Sequence, residues 1–326
     1  MVALNISKRY ILMRIIRFVL SFFIILTIIF ILPRIAPGDP IENILGMDYI
    51  SATPEQIEFL EQQYGLDKGL FEQYLIFLKS VFTLDLGYSI SNNTSVYFLV
   101  TESIKVTVKV VLPALFIGAT LAVCAGLYGG THKGKPLERS LTTGSIVFDT
   151  IPNYILGILA LSIFAFHLHL FPLGHMSSGS GDIFDTIHSL ILPELLLTTS
   201  VFVGYYISIR NIVLQINEEY FITAERAHGM SEDCINSNHI FRNIMTQFVS
   251  MFALSLGGVI SGALIIEIVF SLPGMGSVLF SAISFGDYPV IQGCFIFITG
   301  SVLLANMFAE IAYGFLDPRV SDGGRR

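Results

Sequence analysis

Between Val110 and Tyr128 the chain reads VVLPALFIGATLAVCAGLY, nineteen residues without a charged side chain. At a rise of about 1.5 Å per residue this stretch makes a helix of about 29 Å, close to the thickness of a bilayer's hydrocarbon core. The composition extends that reading to the whole chain. Of 326 residues 53% are hydrophobic and 13% charged, whereas a soluble domain carries about 25% charged residues. Blocks of the same kind lie at Ile15–Leu32, Ser145–Phe166, Leu190–Ile209, Phe248–Phe270 and Val290–Phe315. The expected fold is therefore all-α, an integral membrane protein with six transmembrane helices and both termini on one side. No long-period repeat or low-complexity linker divides the chain, so residues 1–326 are read as a single membrane domain.

The first block follows Lys8, Arg9, Arg14 and Arg17, as a secretory signal peptide would. It is read as a retained span, because no clean small-x-small site precedes Pro37 and its removal would leave five crossings. With the N-terminus in the cytoplasm, 13 of the 18 Lys and Arg residues fall on the inner side, in the stretches Lys8–Arg17, Lys133–Arg139, Arg210–Arg242 and Arg319–Arg326. The two later outer loops hold no Lys or Arg at all, and this asymmetry sets the direction of every span. Residues 33–102 then form an extracytoplasmic segment, too rich in Asp and Glu to enter lipid. Within it Ile57, Leu60 and Tyr64, and again Phe71, Tyr74, Leu75 and Leu78, recur at helical spacing, which predicts short amphipathic helices. Asn92-Asn93-Thr94-Ser95 contains two overlapping glycosylation acceptors and reads equally as a polar turn.

Several functions are excluded at this level. A net charge of −7 with scattered basic residues leaves no cationic face for nucleic acid. Cys124, Cys234 and Cys294 are odd in number and far apart, so they suggest neither a disulfide framework nor a metal knuckle. The chain has no Gly-x-x-x-x-Gly-Lys-Ser/Thr loop to cradle a nucleotide's phosphates.

Between the fourth and fifth blocks, in residues 211–247, Asn217-Glu-Glu-Tyr-Phe-Ile-Thr-Ala-Glu-Arg-Ala-His-Gly229 reads as a short helix closed by glycine. Ser231 with Glu232 and Asp233 marks the start of the next one. By spacing alone such a helix is a connector; its small residues Ala224 and Ala227 would also allow close approach to another surface.

This segment resembles the alanine-and-glycine cytoplasmic loop of ABC importer permeases, specifically those of the dipeptide, oligopeptide and nickel family. The likeness covers nearly the whole chain. Pro37-Gly-Asp-Pro40, Tyr64-Gly-Leu-Asp67, Asp85-Leu-Gly87, Glu267-Ile-Val-Phe-Ser-Leu-Pro-Gly-Met-Gly276, Asp287-Tyr-Pro-Val-Ile-Gln-Gly293 and Leu316-Asp-Pro-Arg319 carry it in order. The resemblance implies an ABC type I importer-like fold in which Tyr220, Thr223, Ala224, Glu225, Arg226, Ala227 and Gly229 dock on an ATPase subunit. It also implies a plasma or inner membrane location, a second related permease chain, two ATP-binding subunits that hold ATP and Mg, and an extracytoplasmic substrate-binding protein. That protein would dock on residues 37–101 and on the Pro273-Gly-Met-Gly276 loop. No cofactor and no metal are assigned to this chain, which is not itself an enzyme. Two positions depart from the family pattern: Glu225 stands where alanine is usual, and Gln247 where proline would kink the start of the fifth span.

Polar groups inside spans are costly and mark functional sites. Asp149, Asn153, Glu194 and Glu267 are the pathway candidates, Glu194 because it could favour a cationic group such as a peptide amino terminus. Glu267 and Glu310, near span ends, read first as structural pairing groups. His167, His169, His175 and His188 cluster in one outer loop, where His-x-His could ligate a borderline metal, although no Cys or carboxylate completes a site. The competing readings are a nickel or sugar importer of the same family, a secondary transporter, for which inverted repeats are expected and not visible, and a membrane anchor or sensor.

Overall fold

The computed structural model describes residues 8–35, 53–55, 57–58, 67–173, 183–259 and 264–316. Apart from short turns and one β-bridge, Tyr88 to Ser95, the described residues are helical. In chain order the helices are α1 (Lys8–Ile35), α2 (Leu70–Thr83), α3 (Val96–Thr131), α4 (Pro136–Thr150), α5 (Asn153–Ala160), α6 (Ile183–Asn217), α7 (Tyr220–Ala227), α8 (Glu232–Ile235), α9 (Phe241–Gly258), α10 (Leu264–Val269), α11 (Met275–Ser284) and α12 (Tyr288–Leu316). π-helical turns at Leu161–His167 and Asn236–Ile240 continue α5 and join α8 to α9. Residues 37–40, 64–66, 175 and 317–319, which carry several of the motifs above, lie outside the described residues.

Four helices, α1, α3, α6 and α12, are long and apolar enough to cross a membrane singly. Among the described residues, neither of the other two expected spans is met by one such helix. The third block bends by 95° between α4 and the α5 segment. Pro152 is the cause, because its ring pushes the preceding residue out of the helical region, and Ile151 sits at φ −91°, ψ 123°. Of the fifth block, the described residues form α9, to Gly258, and α10, from Leu264. The helix nevertheless runs unbroken through Gln247, the position where the family pattern has proline.

α3 and α6 form the main packing pair. Gly118 lies against Val201, Gly126 against Ile209 and Gly130 against Val213, so the two helices run in the same direction. Their approach depends on missing side chains. A Cβ at Gly126 would lie 2.8 Å from Ile209 Cγ2, and one at Gly129 would lie 2.8 Å from the Tyr206 hydroxyl. Small residues on a shared stripe are how membrane helices gain van der Waals contact when lipid supplies no hydrophobic drive. α1 runs against α12, paired at one end by Arg14 with Glu310 and at the other by Gln292 Nε2 donating to the Ile29 carbonyl at 3.1 Å. α3 and α12 begin side by side, with Val96 and Val100 packed on Val290, Ile291 and Cys294. The chain must therefore return between α3 and α6, and again between α6 and α12. The bent α4–α5 and the region of α9 and α10 are the segments positioned to do so.

α2 lies where a helix is expected from Phe71, Tyr74, Leu75 and Leu78, but Phe71 and Leu75 are exposed and the packed face is shifted. Phe77, Leu78 and Val81 pack on Leu26 and Ile29 of α1, and Tyr74 shares a 2.8 Å hydrogen bond with Thr27.

Candidate functional site

α6 ends at Asn217, and two turn hydrogen bonds, Glu218 N to Gln215 O and Glu219 N to Ile216 O, swing the chain into α7. One buried side chain fastens α7 to the body. Ile222 is fully buried among Val213, Ile235, Ile240 and Ile244, which belong to α6, α8, the π-turn and α9. The rest of the helix faces outward: Tyr220 is 91% exposed, and Phe221, Thr223, Ala224 and Ala227 are exposed beside it.

Gly229 closes α7 as its sequence demands. Its φ of +84° is left-handed, its N–H donates to the Arg226 carbonyl at 3.0 Å, and the Met230 N–H donates to the Glu225 carbonyl at 3.2 Å. These two bonds are a Schellman closure, which needs a residue without a Cβ at that position. Ser231 Oγ then accepts from the Cys234 N–H and starts α8.

Arg226 turns back on its own chain. Its Nε donates to Glu232 Oε1 at 2.8 Å, and its Nη2 donates to Glu232 Oε2 and Asn217 Oδ1, each at 3.2 Å. Hydrogen bonding to Arg226 holds the Glu232 carboxyl below the usual carboxylate range, and the same contact raises the Arg226 guanidinium. Glu225, the departure from the family pattern, is half-buried beside it.

The pathway candidates separate. Asp149 and Asn153 flank the α4–α5 bend and are both exposed, and Asn153 Oδ1 accepts from Ser200 Oγ of α6 at 3.1 Å. Glu194 is half-buried on α6, six residues or about 9 Å along the axis from Ser200. Glu267 is only 1% exposed and engaged within the fold. It accepts from Thr107 Oγ1 at 2.7 Å, from the Gly276 N–H at 2.7 Å and from the Ser277 N–H at 3.3 Å, while the Met275 N–H donates to Thr107. Glu310 pairs with Arg14. The structural reading thus fits both carboxylates. Two of the four histidines engage backbone: His167 Nδ1 donates to the Ser162 carbonyl at 2.7 Å and His188 Nε2 to the Leu170 carbonyl at 2.8 Å.

At the end opposite α7, the Asn92–Ser95 run is a tight turn, with Asn93 at φ +50°. The turn is fixed by Asp287, 2% exposed, whose Oδ2 accepts from Ser89 Oγ at 2.6 Å, Ser91 Oγ at 2.9 Å and the Ser91 N–H at 3.1 Å. A cavity of about 630 Å³ opens there, lined by Ser89, Ser91, Asn92, Ser277, Phe285 and Asp287. It unites the outer segment with the loop after Pro273.

Sequence reasoning did not single out Ile222, Asn217, Asp287 as an anchor, or the ion pair of buried Glu138 on α4 with partly exposed Arg210 on α6. The first was legible as the lone aliphatic position in a polar helix. The ion pair was hidden because Arg210 counted only as an inner-side charge.

Comparison with known proteins gives these positions a context. Residues 104–322 match the family described as binding-protein-dependent transport system inner membrane component, and residues 7–111 match its N-terminal counterpart. The chain is 28% identical to the dipeptide transport system permease protein DppB of Lactococcus lactis, over 96% of this chain and 99% of the relative. It is 27% identical to the di/tripeptide transport system permease protein DppB of Pseudomonas aeruginosa, covering 92% and 95%. To the oligopeptide transport system permease protein AppB of Bacillus subtilis it is 28% identical, covering 89% and 92%. With more than half of its length inside one family match, and with the glycine-closed helix and buried loop carboxylates described above, this chain belongs to the inner membrane components of binding-protein-dependent transport systems.

Proposed function

We propose that the chain is one permease subunit of an ATP-driven importer of peptides and forms half of the translocation pathway. The observation that carries this reading is α7, a helix held by one buried residue, Ile222, with Tyr220, Phe221, Ala224 and Ala227 left outward. Such a face is suited to a groove on another protein. The positive-inside asymmetry supports a cytoplasmic side for α7 and both termini, where ATP-binding subunits would meet it. ATP and Mg are held by two such subunits, a related permease chain completes the pathway, and an extracytoplasmic binding protein delivers the cargo. Peptide cargo follows from the names of the relatives.

Within the membrane, Asp149, Asn153 and Glu194 are the groups a solute would meet, and Glu194 favours the cationic amino terminus of a peptide. Glu267 serves that pathway indirectly, by holding the loop at the outer end. The test is a cysteine crosslink. With Thr223→Cys or Ala227→Cys, a short crosslinker is expected to capture an ATP-hydrolysing subunit in the purified assembly; failure at both positions in an assembly that transports would overturn the docking. Glu194→Gln is expected to weaken uptake of peptides with a free amino terminus more than that of N-acetylated ones.

A further inference from the structure

At the α7 end, three helices meet around a single buried carboxylate. Glu138 lies in the first turn of α4 and is 3% exposed. Its Oε2 accepts from the Gly134 N–H at 2.9 Å, in the turn that leaves α3. Its Oε1 accepts from Arg210 Nε at 2.8 Å and Nη2 at 2.6 Å, and from Thr142 Oγ1 at 3.0 Å. Tyr206, fully buried one turn before Arg210, donates to Thr142 at 2.9 Å and sits where residue 129 has no side chain. Farther along α4–α5, past the 95° bend, Ser200 of α6 is bonded to Asn153. The bent segment is therefore tied to α6 at two levels, one on each side of its bend.

A buried ion pair is a poor source of net stability, since apolar residues of similar volume hold a fold as well. Separating this one is costly, however, because Glu138, at 3% exposure, would be left buried without its partner. It resists sliding in a way that an apolar contact does not. Arg210 lies ten residues before Tyr220, on the helix that leads into α7.

We propose that Glu138 and Arg210 are a positioning pair that makes α4 move with the α7 end of α6, so that displacement of α7 reaches the bend bearing Asp149 and Asn153. This rests on the importer reading. α7 supplies the displacement, α6 carries it, and the pair stops α6 from slipping past α4.

The experiment uses the complete assembly with its ATPase subunits, in a Cys124→Ser, Cys234→Ser background. Spin labels at Ile146→Cys on α4 or Asn211→Cys on α6, both exposed, are each paired with Leu20→Cys on α1, and distances are read with and without ATP and vanadate. In the parent both distances shift. In Glu138→Gln the Asn211 shift is expected to persist while the Ile146 shift falls to roughly half or less, and Arg210→Lys, which keeps the charge, is expected to retain both. Tyr206→Phe, which removes only one hydroxyl from the network, is expected to reduce the Ile146 shift by less. Unchanged shifts at both labels in Glu138→Gln and Tyr206→Phe overturn the positioning role, as does an equal loss at both labels. A parent that hydrolyses ATP with no shift at either label, or that does not bind ATPase subunits, overturns the importer reading and this proposal with it.

Discussion

The two ends of the molecule are fastened by opposite means. Away from α7, Glu267 and Asp287 are buried carboxylates, each accepting several hydrogen bonds from segments remote in sequence: Thr107 to Glu267, and Ser89 and Ser91 to Asp287. At α7 the local fastenings are one aliphatic side chain, Ile222, and the exposed Arg226, which is paired with Glu232 and bonded to Asn217. Buried acceptors with satisfied donors fix a geometry, because a broken bond leaves an unsolvated group. An exposed pair is screened by water and yields readily. The difference describes one rigid end and, at the other, a helix that can be displaced as a unit without breaking a buried polar contact of its own.

The largest expected effect is at the rigid end. Glu267→Ala strips acceptors from the Thr107 hydroxyl and from the Gly276 and Ser277 amides, a loss of about 3 kcal/mol or more. Thermal unfolding of the purified chain in detergent should drop clearly, and less for Glu267→Gln; an unchanged midpoint for Glu267→Ala would show that the carboxylate does not hold the loop. Next comes Ile222→Ala, which removes a buried side chain at a cost of about 2–4 kcal/mol. That cost should fall on α7 alone. Hydrogen exchange is expected to accelerate across residues 220–229 and recovery of ATPase subunits to fall, with the unfolding midpoint nearly unmoved. A large drop in the midpoint would erase the contrast between the ends.

Much of this was legible in the chain. Long apolar blocks give α1, α3, α6 and α12, and Gly229 followed by Ser231 gives the boundary between α7 and α8 to the residue. The bend at Ile151–Pro152 was also written in the sequence, yet a count of apolar residues treats Ser145–Phe166 as one rod. Hydropathy is indifferent to backbone dihedrals, and Pro152 acts through those alone. The buried anchors were less accessible for a different reason. Ser89 and Asp287 are 198 residues apart, and nothing local to either marks the partner. Glu138 and Arg210 look like ordinary loop charges until glycines bring α3 against α6 and the turn after α3 sets α4 beside them.

The smallest effect tests the movable end most directly. Arg226→Ala should cost less than about 1 kcal/mol, because both partners of the pair are largely in water. Its pH dependence has a definite sign. The Glu232 carboxyl is lowered in the folded chain by its bond to Arg226, so the pair's contribution is complete above the ordinary glutamate range and is lost as pH falls through the lowered value. Arg226 stays charged throughout, since its own shift is upward. Local hydrogen exchange at α7, corrected for the intrinsic rate, should therefore be slower in the parent than in Arg226→Ala at neutral pH, and the two should converge under acid. A gap that persists at low pH would assign the effect to the Arg226–Asn217 bond instead, tying α7 to α6 through a neutral contact that acid leaves intact.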